Sequence, residues 1–121
     1  MVKLMSPRSP ITTHVLDISR GKAASGIAVT LERRISETEW KILKKAATNA
    51  DGRIEDLLAP GSQAEAGIYR LTFETAPYFR SSGGTGFYPY ASIAFEITQP
   101  QEHHHVPLLL SPYGYSTYRG T

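Results

Sequence analysis

What most restricts this chain is a period-two alternation of apolar and polar residues, repeated in short runs from Ile11 onward. Successive side chains of an extended strand point to opposite faces, so such alternation marks strands with one buried face. The run "ITTHVLDI" places Thr12, His14, Leu16 and Ile18 on one face. In "GIAVTLERR", Ile27, Val29 and Leu31 alternate with Thr30, Glu32 and Arg34. The runs "GIYRLTFET" and "ASIAFEIT" repeat the pattern with Tyr69, Leu71 and Phe73, then Ile93, Phe95 and Ile97. Between them stand "SRGKAASG", "NADGR", "APGS" and "SSGGTG", whose Gly, Pro, Asn and Asp suit turns. Many short strands cut by such signals indicate an all-β sandwich or barrel.

One segment carries a competing signal. In "SETEWKILKKAATNADG", Ser36 and Glu39 stand at capping-box spacing, and Trp40, Leu43 and Ala47 follow at helical spacing. Local propensity favours a helix there. The same residues also permit a strand, because Trp40, Ile42 and Lys44 alternate. A further helical turn fits within "RIEDLLAPGSQAEAG". No internal repeat or low-complexity tract interrupts the pattern.

Composition narrows the classes of function. A length of 121 residues suits one domain, read as residues 11–121 after a Pro-rich, disordered lead-in at 1–10. The absence of Cys excludes a disulfide framework, thiolate chemistry and the usual zinc-ribbon ligands. The net charge is +2, and Arg33, Arg34, Lys41, Lys44 and Lys45 are interspersed with Glu32, Glu37 and Glu39. That mixture describes a solvated face and gives no nucleic-acid stripe. The start "MVKLMSPRSP" lacks the apolar stretch of a signal peptide, and no run approaches the ~20 apolar residues of a membrane span. The expectation is a soluble cytoplasmic protein with no membrane or nucleic-acid partner.

The polar residues offer several chemistries. On a strand, His103 and His105 share one face and His104 takes the other, so the three cannot ligate one metal together. Two of them with His14 would supply a metal with few ligands, and no metal is expected. His14 sits mid-strand, where it reads either as a satisfied structural imidazole or as a proton shuttle. Arg53 follows Gly52 in "NADGR" and reads either as a loop charge or as a fork for a planar anion. The segment "SPYGY" makes a hairpin turn. The strand before it aligns His105, Pro107 and Leu109; the strand after it offers either Ser116 and Tyr118 or Tyr115, Thr117 and Arg119 to that face. Pro107 gives up a ladder donor, which predicts an edge or bulged strand, and an edge with exposed tyrosines predicts a partner subunit.

Three stretches carry a family resemblance: "TTHVLD", "ADGR" and "HVPLLLSPYGYSTYRGT". They resemble the 5-hydroxyisourate hydrolases, transthyretin-related enzymes of urate breakdown, over about residues 11 to 121. The final "YRGT" is the most specific part, since members typically end in Tyr-Arg-Gly-Ser; Thr121 keeps the hydroxyl. Ala23 stands where the family often has Pro. The resemblance implies a transthyretin-like sandwich of two four-stranded sheets with one short helix, assembled as a homotetramer, a dimer of dimers. It implies that "EWKILKKAAT" is a strand and that the helix falls in or near "PGSQAEAG".

Carried over by motif, the resemblance implies catalytic roles for His14, Arg53 and His105. Substrate binding falls to His14, Arg53, Tyr118 and Thr121, with no cofactor. The implied reaction is hydrolysis of 5-hydroxyisourate to 2-oxo-4-hydroxy-4-carboxy-5-ureidoimidazoline. Opening a lactam requires a base for water, an acid for the leaving nitrogen and a donor for the developing oxyanion. Transthyretin itself carries thyroid hormone, so a small-molecule carrier without catalysis is the rival reading.

Overall fold

A computed structural model describes residues 8–121. Its elements are β1 (Ile11–Asp17), β2 (Lys22–Ala23), β3 (Ala28–Arg34), β4 (Trp40–Ala47), β5 (Arg53–Ile54), β6 (Gly67–Phe73), α1 (Thr75–Ser81), β7 (Ala91–Ile97), β8 (His104–Ser111) and β9 (Gly114–Thr117). One sheet runs β4-β3-β6-β7, antiparallel throughout. The other runs β2-β1-β8-β9, with short β5 also pairing with β1, so it counts five strands. Both β2 and β5 lie antiparallel to β1, while β1 and β8 run parallel.

The alternation read from the sequence becomes the packing of the sandwich. Ile11, Val15, Val106, Leu108 and Leu110 face inward from one sheet, and Val29, Leu31, Tyr69, Leu71 and Phe73 from the other, all nearly or wholly buried. His104 points inward with them and is also buried. The outer face of β1 and β8 therefore carries the complementary set, including His14 and His105.

Residues 40–47 form a strand in spite of their helical spacing. Ser36 does accept hydrogen bonds from the Thr38 and Glu39 amides, at 3.4 and 3.1 Å. It closes the β3–β4 hairpin turn, and no helix follows. Trp40 then covers the Arg70 guanidinium at 4.0 Å from its ring centroid, and Arg70 pairs with Glu32. Cross-strand contacts thus outweigh the small differences in intrinsic propensity.

Two expectations need correction. The helix is not in 60–67, where Gly61 and Gly67 take positive φ of 79° and 150°. It lies at Thr75–Ser81 in the β6–β7 connection, with Pro77 in its first turn, where amides lack helical partners, and Phe79 buried against the core. Pro107, expected on an edge or bulge, sits in a strand flanked by β1 and β9. The regular β8–β9 ladder stops at Leu108, so the missing Pro107 donor falls where no ladder bond is made. The Thr117 hydroxyl donates to the Pro107 carbonyl at 2.7 Å, and pairing resumes at His105 and Gly120. The edge is β9.

Most of the lead-in expected at 1–10 lies outside the described residues. Ser9 and Pro10 are buried; the Ser9 hydroxyl accepts from the Leu58 amide at 3.0 Å, and the Pro10 carbonyl from His104 at 2.8 Å.

Candidate active site

Strand register assembles the polar wall. Parallel pairing sets His105 beside Thr12, and antiparallel pairing on the opposite side sets Arg53 beside His14. All four lie on the outward face of β1, β5 and β8. The turn before β5 is specified by its residues. Asn49 Oδ1 accepts from the Asp51 and Arg53 amides at 2.9 and 3.0 Å, and Gly52 takes φ of 74°. The Val15 amide donates to the Gly52 carbonyl at 2.7 Å, and a Cβ at position 52 would stand 2.5 Å from the Val15 carbonyl oxygen. Only glycine meets both demands, and the turn delivers Arg53 to β1.

An open cavity of about 460 Å³ lies over this face, lined by Thr12, Arg53, His103, His105 and the terminal Thr121. Glu55 and Asp56 also reach it. His14 stands next to Arg53 in the register without lining the cavity itself. Tyr118 lines a second cavity of about 260 Å³ with Ile93, Phe95, His104 and His105, so His105 borders both. The fold thus gathers Arg53, His105 and Thr121 in one cavity, keeps His14 adjacent, and sets Tyr118 in a second cavity that shares His105. Tail and wall meet directly: the Gly120 amide donates to the His105 carbonyl at 2.8 Å.

Thr12 and His103 enter the site although the sequence assigned neither a catalytic or substrate-binding role; it placed Thr12 on the face of His14 and His103 on the face of His105. Thr12 Oγ1 lies 2.7 Å from His105 Nδ1 and 3.0 Å from His103 Nε2. His103 Nδ1 lies 2.8 Å from the Ser9 carbonyl oxygen. The two imidazoles are nearly parallel, with an interplanar angle of 14° and centroids 6.5 Å apart. Period two was the available signal: Thr12 precedes His14 by two residues, and His103 precedes His105 by two.

The electrostatics favour neutral imidazoles. Burial pushes the His105 imidazole below the ordinary histidine range, and Arg53, His103 and His14 push it further. Burial, then the Arg53 guanidinium, lowers His14, while the Asp51 backbone and carboxylate pull the other way. Burial lowers His103 against its bond to the Ser9 carbonyl. Neutral imidazole accepts a proton, and a guanidinium beside it stabilises negative charge, so the site combines a base with a fixed cation. Among the described residues, no three His, Cys, Asp or Glu side chains converge as a set of metal ligands.

Comparisons with known proteins agree with this architecture. The 5-hydroxyisourate hydrolase of Mus musculus is 46% identical over 114 residues, covering 93% of this chain and 96% of that protein. The solved structure of Klebsiella pneumoniae 5-hydroxyisourate hydrolase superposes with a TM-score of 0.79 at 38% identity, over 98% of this chain and all of the other. Transthyretin from Sparus aurata superposes with a TM-score of 0.84 at 30% identity, over 93% and 97% of the two chains. The family model described as HIUase/Transthyretin matches residues 11–120, and the chain belongs to that family.

Proposed function

We propose that this protein hydrolyses 5-hydroxyisourate to 2-oxo-4-hydroxy-4-carboxy-5-ureidoimidazoline, a step in urate degradation. The observation that carries this reading is the composition of the wall: an imidazole, a guanidinium and hydroxyls around one cavity. A carrier for an apolar hormone needs an apolar lining and has no use for clustered neutral imidazoles. The relatives named above as hydrolases, alike over nearly their whole length, support the same choice.

In the mechanism, His105 takes a proton from water, and the resulting hydroxide oxygen bonds to the lactam carbonyl carbon. Arg53 holds the urate-like ring and offsets the negative charge that grows on the carbonyl oxygen. The tetrahedral centre collapses, the C–N bond breaks, and the nitrogen leaves with a proton from an imidazolium. The carbonyl carbon becomes the carboxylate and the freed nitrogen ends in the ureido group. His14 partners His105 across the site, and the two imidazoles can exchange the roles of base and acid. Thr121 and Tyr118 bind substrate, Tyr118 from the second cavity that His105 also borders. No organic cofactor or metal takes part.

The assembly proposed is a homotetramer, a dimer of dimers, in the cytoplasm. The cavity is open on one side, and a hydrolytic site gains from exclusion of bulk water. A facing copy across the outer sheet would close it. Exposed aromatic residues near the β9 edge, Phe87, Tyr88, Tyr113 and Tyr115, supply apolar area for such contacts. The test generates 5-hydroxyisourate in situ with a uricase and follows its absorbance. Decay faster than the spontaneous rate is expected; decay at the spontaneous rate removes the enzyme and restores the carrier.

A further inference from the structure

We propose that Thr12 and His103 are positioning residues that hold His105 in its Nδ1–H tautomer, leaving Nε2 as the free base. The inference rests on the reading of His105 as the residue that deprotonates water. It follows from the polarity of three consecutive hydrogen bonds, which admit one proton arrangement when both imidazoles are neutral.

The chain of bonds starts at the backbone. The Ser9 carbonyl oxygen, 2.8 Å from His103 Nδ1, can only accept, so Nδ1 carries a proton. A neutral His103 then has a bare Nε2, which accepts from the Thr12 hydroxyl at 3.0 Å. That hydroxyl has spent its single proton, so its oxygen accepts at 2.7 Å from His105 Nδ1, which must be the protonated nitrogen. Nε2 of His105 is left with its lone pair. The glycine of the tail packs beside Cδ2, the ring carbon bonded to Nε2, and Thr121 continues into the same cavity.

The arrangement has a purpose that packing alone does not explain. A histidine side chain free in water prefers the Nε2–H tautomer, whose reactive nitrogen would lie at Nδ1, here turned into the protein toward Thr12. Holding the opposite tautomer presents the basic nitrogen to the cavity before substrate arrives. Orientation of an imidazole through its second nitrogen is a general device of histidine catalysis. In this protein the orienting group is a hydroxyl, and a second histidine sets that hydroxyl's direction.

The test reads the tautomer directly. Nitrogen-15 NMR of histidine-labelled protein at pH 8, with His105 assigned by its disappearance in His105→Gln, is expected to show a protonated Nδ1 and a bare Nε2. In Thr12→Val the His105 signals shift toward the Nε2–H form. Its kcat falls by about tenfold, part of the ~10²-fold or more that a general base supplies, while KM changes little. Thr12→Ser restores both signals and kcat. A wild-type spectrum with His105 protonated at Nε2 overturns the proposal without any variant. So does Thr12→Val with an unchanged tautomer and unchanged kcat. Wild-type protein that fails to accelerate substrate decay defeats the hydrolase reading, and the wild-type spectrum still decides the tautomer.

Discussion

Gly120 lies against the imidazole of His105 so closely that a Cβ on it would fall 2.5 Å from the ring Cδ2. The same atom would stand 3.3 Å from the Pro107 ring. This glycine is required by close approach. Replacing it with alanine pushes the tail off the wall and moves Thr121 with it. We expect Gly120→Ala to lower kcat/KM by about 10²-fold, the scale of a misplacement near 1 Å, with little loss of thermal stability. Deletion of 118–121 should abolish turnover and leave the sandwich folded by circular dichroism. Near-full activity in either variant would remove the tail from the site.

His14→Ala, Arg53→Ala and His105→Ala should each reduce kcat/KM by at least ~10²-fold without unfolding the protein. His104 makes the contrast. It faces the interior and is buried, so His104→Ala costs stability and lowers Tm while folded molecules still turn over. Equal catalytic loss in His104→Ala and His105→Ala would mean that the outward face has been assigned one residue out of register.

The acid limb of the pH profile follows from the lowered imidazoles. Burial, assisted by Arg53, His103 and His14, keeps His105 unprotonated below the ordinary histidine value. Activity should persist as pH falls through about 6.5 and decline only below it. For stability the sign is the same. A lowered histidine pKa contributes fully above about 6.5, and the contribution is lost as pH falls toward the folded-state value. A kcat/KM profile whose acid inflection sits above 7 would contradict this electrostatic account.

Removal of metal should leave the rate unchanged. Dialysis against a strong chelator, followed by the coupled assay, is expected to give full turnover. Loss of activity that zinc restores would place a metal in the mechanism.

The Asp17–Tyr78 hydrogen bond ties α1 to the end of β1. Tyr78 donates to Asp17 Oδ2 at 2.7 Å, and the Ser19 hydroxyl and the Ser19 and Arg20 amides bond to Oδ1. Burial alone would raise the Asp17 carboxyl, but these donors outweigh it and hold it low. Burial, then Asp17, pushes the Tyr78 phenol up to about 12. Tyr78→Phe should cost about 1.5–3 kcal/mol in urea unfolding, as for a hydrogen bond to a charged group. The stabilisation from Asp17 is present above about pH 3.9 and lost as pH falls through its folded value. That from Tyr78 is lost as pH rises from about 10 toward 12.

Alternation alone disclosed β3, β6 and β7 and which of their residues face inward, because a half-buried strand writes its geometry into every second position; in β1 it grouped Thr12, His14 and Leu16 on one face, and the structure turns that face outward. The β3–β4 hairpin was ambiguous for a physical reason. Ser36 makes the same amide contacts in a turn that it would make at a helix start, and only the distant Arg70 and Glu32 decide between them. The helix was misplaced because seven residues with Pro77 in the first turn carry little periodic signal. Within the site, "DGR" and "HVP" pointed to Arg53 and His105. Thr12 was overlooked because a threonine acquires its role only from the register that sets β8 beside β1.

The parallel pairing of β1 with β8 also has a consequence in time. Thr13 donates its hydroxyl to the Val106 carbonyl across 93 residues of chain, and the Thr12 hydroxyl oxygen meets His105 Nδ1 across the same separation. Closing so long a loop has an entropic cost that is met before the contact rewards it, which slows folding. On the ribosome, at ~5–20 residues per second, β1 emerges on the order of 5–20 s before the strand that will cover its edge. Throughout that interval its unpaired amides and carbonyls are open to neighbouring nascent chains, so the risk of aggregation is greatest at the beginning of the sequence. A mutation that weakens β8 would then show itself first as poor yield of soluble protein, before any change in the kinetics of the molecules that do fold.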